Sequence, residues 1–102
     1  MMTDKRGGAA RSVVEGACVL RFAPHARFRF DEVRRAWVVL APERLLLPDE
    51  QAVEILQLID GERTVDIVID KLAQRYEAPR EIIAADVLKM LQDLLDKRVL
   101  RL

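Results

Sequence analysis

The sequence predicts an α+β domain in which a three-stranded antiparallel N-terminal sheet packs on three helices. Three observations carry this. Arg27-Phe28-Arg29-Phe30 alternates between basic and aromatic residues, the period of a half-buried strand. Trp37-Val38-Val39-Leu40 is aromatic and β-branched, and a break at Ala41-Pro42-Glu43 separates it from a further apolar run, Arg44 to Leu47. Beyond Pro48, apolar residues recur at helical spacing through three segments.

Taken in order, the chain opens on Met1 to Ser12, where Gly7-Gly8-Ala9-Ala10 and scattered charges predict flexibility. Val13 to Arg21 alternates weakly and reads as extended or disordered, so residues 1–21 are expected to form a flexible tail and residues 22–102 the folded domain. The strands ending at Phe30 and Leu40 make an antiparallel pair around the polar turn Asp31 to Arg35, and Arg44 to Leu47 makes the third strand. A ribbon this small is marginal alone, so it must pack on the helices.

The first helix follows Pro48, with Asp49 as its N-cap and Glu50 favouring the positive helix start. Ala52, Val53, Leu56 and Ile59 form its stripe, and Asp60-Gly61 ends it. The second helix starts at the N-cap Thr64, with Val65, Val68, Ile69, Leu72 and Tyr76 on one face. Glu77-Ala78 breaks the pattern, and Pro79 opens a third helix running to about Lys97. Val99 to Leu102 reads as a short strand or extended tail. In the third helix Ile83, Ala84, Val87, Leu88, Met90, Leu91, Leu94 and Leu95 cover a stripe ~160° wide, against ~100° for an ordinary surface helix. A central helix touching two neighbours explains that width. So does a flank, Ile83, Val87, Met90 and Leu94, that borders a groove, where methionine adapts to a partner.

Composition narrows the function classes. Of 102 residues, 51% are hydrophobic and 33% charged, enough for a core and a charged surface. Net charge is zero but uneven: residues 1–44 hold nine Lys/Arg against five Asp/Glu (+4), and residues 45–102 hold eight against twelve (−4). Cys18 is the one cysteine, which excludes an intrachain disulfide and a thiolate metal cluster. No apolar run reaches the ~18–20 residues of a membrane span, and the N-terminus lacks the apolar core of a signal peptide, so a cytoplasmic location is expected. His25, the single histidine, reads as a loop residue. No phosphate loop, credible catalytic triad or metal-ligand spacing is present, so neither enzymatic activity nor a cofactor is expected.

Strands followed by three helices resemble a rearranged winged helix-turn-helix, which makes DNA binding the obvious alternative. The reader helix would present Arg80, Glu81, Asp86 and Lys89, close to neutral, whereas a DNA reader offers several cations to phosphate. Peptide capture fits better. The short strand Arg44, Leu45, Leu46 and Leu47 can accept an extended peptide along its edge, with the third helix as wall. A second copy of the chain can compete for the same edge, giving a homodimer. On this reading Leu46→Pro removes an edge donor.

The residues also resemble a family, the PqqD-like proteins of pyrroloquinoline quinone biosynthesis. The likeness runs through Trp37-Val38-Val39-Leu40-Ala41-Pro42-Glu43-Arg44, Ala52-Val53-Glu54-Ile55-Leu56 and Leu58-Ile59-Asp60-Gly61-Glu62-Arg63-Thr64-Val65. It continues through Leu72 and Tyr76, Ala78-Pro79-Arg80, Ile83, Asp86-Val87, Leu91 and Leu94, covering about residues 22–102. The chain departs from the pattern at Lys97-Arg98, where many relatives carry glycine. The resemblance implies a peptide chaperone without catalysis. It would bind a PqqA-like precursor peptide and deliver it to a PqqE-like radical S-adenosylmethionine enzyme, which crosslinks a Glu to a Tyr. Carried over, the peptide lies along Arg44, Leu45, Leu46 and Leu47 and faces Val87, Met90, Leu91 and Leu94.

Overall fold

A computed structural model of the chain describes residues 12–102. The order of elements is β1 (Arg21–Phe22), β2 (Arg27–Asp31), β3 (Ala36–Ala41), β4 (Arg44–Leu46), α1 (Glu50–Gln57), α2 (Val65–Tyr76), α3 (Arg80–Asp96) and β5 (Leu100–Arg101). The expected α+β class, three-stranded antiparallel sheet and three helices are present, with strand order β2-β3-β4. A second sheet is new: β1 pairs antiparallel with β5, Arg21 opposite Arg101 and Phe22 opposite Leu100.

Local chemistry sets the boundaries. Asp49 accepts from the amide of Ala52 at 2.8 Å, and Thr64 accepts from Ile67 at 3.3 Å, so both predicted N-caps hold an otherwise unpaired donor. Pro79 sits one residue before its expected place, as the cap of α3 rather than its first residue. Glu77 takes the left-handed conformation, φ 52°, and ends α2 by donating its N–H to Ala73. Gly61, φ 79°, lies beyond the α1 C-cap Leu58, in a loop held by Asp60. Asp60 Oδ1 accepts from the amides of Arg63 at 2.8 Å and Glu62 at 2.9 Å. Those amides, Arg63's first, hold the carboxyl below the ordinary carboxylate range.

The inner face of the sheet carries Phe28, Phe30, Trp37, Val39 and Leu46, as the register and pleat require. Trp37 stacks on Phe28 at 4.8 Å and meets Phe30 edge-on at 5.9 Å. Phe22 of β1 stacks on Phe28 at 5.7 Å, which joins the two sheets. Ion pairs tie the helices: Glu54 of α1 accepts from Arg75 and Tyr76 of α2, and Arg80 of α3 reaches Asp70 and Asp66 of α2.

The expected tail boundary at residue 21 needs correction. Val14 and Leu20 are buried at 6% and 1% exposure and join the core with Val99 and Leu100. The segment is strapped down by hydrogen bonds that no local pattern announces. Gln92 of α3 accepts from the Val14 amide at 2.8 Å and donates to the Ser12 carbonyl at 2.9 Å. Val65 and Asp66, at the start of α2, donate to the carbonyls of Cys18 and Gly16, so the strap satisfies helix donors that would otherwise be orphaned. A Cβ on Gly16 would collide with the Asp66 carboxylate. The flexibility expected further upstream falls on residues 1–11, which lie outside the described residues.

Two outcomes follow. Leu20→Ala lowers unfolding stability by about 3 kcal/mol in urea titrations, the cost of a core cavity. A loss under about 0.5 kcal/mol would mark the segment as the unpacked tail. Because the Asp60 pKa is lowered in the folded state, its contribution is complete above the ordinary aspartate range and drains away as pH falls through the lowered value. The stability gap between the wild type and Asp60→Asn therefore narrows in acid, and an equal gap at neutral and strongly acidic pH would contradict this.

Candidate functional site

Strand β4 is three residues long because of the residues that bound it. Ala41 and Arg44 face each other across the two-residue loop Pro42-Glu43. Pro42 fixes φ near ~−65°, which suits a type I turn and forbids the primed turns that best match strand twist. Pro48 has no N–H to continue the ladder.

The register decides which groups face outward. Antiparallel neighbours alternate between hydrogen-bonded and non-hydrogen-bonded pairs. The turn-closing pair Ala41–Arg44 is bonded, so Leu40–Leu45 is not, and Val39–Leu46 is bonded again. The N–H and C=O of Leu45 therefore point to the open edge, while those of Leu46 point into the sheet. This corrects the expectation for Leu46→Pro: that proline would break the ladder inside the domain, and the outward donor is Leu45. The next outward position is Leu47. No described strand occupies the far side of β4.

Leu45 and Leu47 are 40% and 62% exposed, and Leu40 lies beside Leu45 on the outer face. Arg44 is exposed at the turn, and Leu46 is half-buried against the core. On α3, Ile83 and Met90 are half-buried against that same core. Val87, Leu91 and Leu94 are inside it, at 1%, 0% and 7% exposure. The expected groove wall of Val87, Leu91 and Leu94 is thus closed: Val87 sits beside Ile55 and Leu72 on the α1–α2 side, and Leu91 and Leu94 lie in the core that the strap and β5 join. The wide stripe belongs to a central helix packed on α2 and β5. Met90 borders a polar depression with Asp86, Lys89 and Asp93 rather than an apolar one.

The open apolar surface of α3 lies nearer its start. A cavity of about 260 Å³ is lined by Gln51 and Ile55 of α1, Leu72 and Tyr76 of α2, and Ile82, Ile83, Asp86 and Val87 of α3. Ile82 is 58% and Tyr76 41% exposed. Tyr76 was expected on the core face; its hydroxyl donates to Glu54 instead, which fixes one cavity wall. Ile82 and Gln51 were not singled out in the sequence. The available signal was Ile82 itself, a large apolar residue just outside the stripe that begins at Ile83. The DNA-reading alternative loses its leading cation: Arg80 is held at 2.6 Å by Asp70 and 2.9 Å by Asp66. Among the described residues no group of three His, Cys, Asp or Glu is arranged to hold a metal, and no helix is long and apolar enough to cross a membrane.

Known proteins resemble this chain in sequence and fold. Residues 36–100 match the family model described as coenzyme PQQ synthesis protein D (PqqD). A PqqA binding protein of Bradyrhizobium diazoefficiens is 62% identical over 73 residues, covering 72% of this chain and 71% of that protein. The solution structure of the PqqD part of Methylobacterium extorquens PqqCD, described as a stand-alone recognition element for ribosomally synthesized and post-translationally modified peptides, aligns with a TM-score of 0.74. It is 46% identical and covers 88% of this chain and 96% of that one. The crystal structure of PqqD from Xanthomonas campestris aligns at 0.56 with 31% identity, covering 89% of this chain and 100% of that one.

The register makes a paired prediction. Leu45→Pro keeps the melting temperature within about 4 °C of wild type, because the lost donor faces solvent. Leu46→Pro removes an inward ladder bond and lowers it by about 10 °C or more. The opposite ranking in thermal denaturation would show that Leu46, not Leu45, faces the edge.

Proposed function

The chain belongs to the PqqD family, and from that premise we propose that it is a peptide chaperone of pyrroloquinoline quinone biosynthesis. It binds the precursor peptide as an added strand along β4 and presents it to the radical S-adenosylmethionine enzyme that crosslinks a Glu to a Tyr. It does no chemistry itself and works in the cytoplasm. The observation that carries this reading is the open edge of β4, with outward polar groups at Leu45 beside the exposed side chains of Leu45 and Leu47. The PqqA-binding names of relatives say which peptide to offer.

The division of labour follows from the chemistry of strand addition. Backbone hydrogen bonds at Leu45, and at Leu47 beyond it, fix the register of the incoming chain and are indifferent to its side chains. Each contributes about 0.5–1.5 kcal/mol net. Selectivity then comes from apolar contact with Leu45, Leu47 and the half-buried Leu46 and Ile83. Val87, Leu91 and Leu94 support the wall from inside the core. Arg44 stands at the turn end of the edge, placed to meet a carboxylate on the peptide. A second copy of the chain is the natural competitor for this edge, since an unpaired strand templates its own kind as readily as a peptide.

Titrating isotope-labelled protein with the precursor peptide tests the proposal. Amide shifts concentrate at Leu45 to Leu47 and at Ile82 to Val87, and Leu45→Pro weakens binding about tenfold while the domain stays folded. No binding at peptide concentrations on the order of tens of micromolar overturns it. Tight binding of duplex DNA with steep salt dependence would restore the alternative.

A further inference from the structure

We propose that the β1–β5 ribbon is a docking surface for an acidic segment of a second protein, gripped by Arg21, Arg98 and Arg101. This surface is separate from the strand edge at β4 and does not depend on the peptide-binding reading.

Most cations of the helices and turns are neutralised at home. Arg34, Arg63, Arg75, Arg80 and Lys97 each have a carboxylate within ion-pair distance. The ribbon is different. Arg21 and Arg101 are directly opposed across it, so their side chains leave the same face, and both are exposed. Like charges in directly opposed positions destabilise a strand pair, and no ion pair among the described residues offsets this one. A Cβ added to Gly61 of the neighbouring loop would lie 3.6 Å from the Cβ of Arg21, so the loop passes close beside the base of that side chain.

Arg98 adds a second, independent observation. It leads into β5 with φ 65°, the left-handed region where glycine is the residue of least strain. An arginine there costs backbone energy and gains no ion pair within the described structure. It lines, together with Arg101 and His25, a cavity of about 870 Å³ whose other walls include Leu95, Leu100 and Pro24. Asp96 also reaches this cavity, where it accepts a hydrogen bond from Gln92 at 2.9 Å.

The chemistry of the partner follows. Planar guanidinium groups match carboxylates in two-point contact, and the apolar walls suit the side chains that flank an acidic residue in a protein. A nucleic acid fits poorly: it gains from long cationic stripes that follow its backbone, and three arginines at one short ribbon do not make one. Because the ribbon and the β2-β3-β4 sheet are separate sheets, both surfaces can be engaged at once.

The test uses the full chain and a fluorescein-labelled peptide of glutamate and leucine, followed by anisotropy and amide-shift mapping. The peptide shifts Arg21, Arg98 and Arg101, binding weakens with salt, and the double variant Arg21→Gln/Arg101→Gln loses about tenfold in affinity. Arg29→Gln/Arg35→Gln, which removes the same charge from β2 and the turn after it, changes affinity less than about twofold. If the arginines are kept for a partner, Arg21→Gln and Arg98→Gly hold or raise the melting temperature, by up to about 4–8 °C together. Absent binding, equal losses in the two double variants, tighter binding of duplex DNA, or a lower melting temperature in both single variants would each overturn the proposal.

Discussion

Leu91 has no solvent exposure because α3 is covered from two sides, and the rest of the molecule is arranged around that requirement. A helix with so wide an apolar stripe needs two partners. The neighbouring helix α2 provides one, pinned by Arg80 through Asp70 and Asp66. The other is built from the chain ends: Val14 and Leu20 arrive from the strap, and Val99 and Leu100 from β5. This second cover brings the N-terminal strap and β5 together and so creates the β1–β5 ribbon. It also relieves the sheet of the task, which leaves the far edge of β4 open.

An open edge is a hazard as well as a site. Natural sheets blunt such edges by keeping them short and by bounding them with proline. Here Pro42 sets the turn on one side and Pro48 stops the ladder on the other, so β4 offers few outward polar groups. That is too little for indiscriminate pairing and, in the proposed function, enough to fix the register of one extended peptide whose side chains find Leu45 and Leu47. The two prolines thus set both the danger and the use of the strand.

What the sequence revealed was local. The caps Asp49 and Thr64 announce their helices because each is a single side chain meeting an amide three residues on. The Arg27 to Phe30 alternation announces β2 because pleat alone sorts its faces. The strap was hidden because its partners are distant: Val14 meets Gln92, and Phe22 pairs with Leu100. No short window holds both halves of such a contact. Missing the strap made the α3 stripe look open, which is why Val87, Leu91 and Leu94 were expected in a groove and lie in the core. The edge Arg44 to Leu47 was legible from its flanking prolines, but which amide faces outward needed the register. The cavity at Ile82 needed three helices in place, and the exposed Tyr76 follows from a partner, Glu54, on a different helix.

Amide hydrogen exchange reads out, residue by residue, whether β4 receives a peptide as a further strand. In the free protein the Leu46 amide is protected by the ladder, while Leu45 and Leu47 exchange fast. Saturating precursor peptide should slow Leu45 and Leu47 by about tenfold or more and leave Leu46 little changed, the every-other-residue signature of strand addition. Binding that leaves Leu45 and Leu47 exchanging at their free rates would contradict the account.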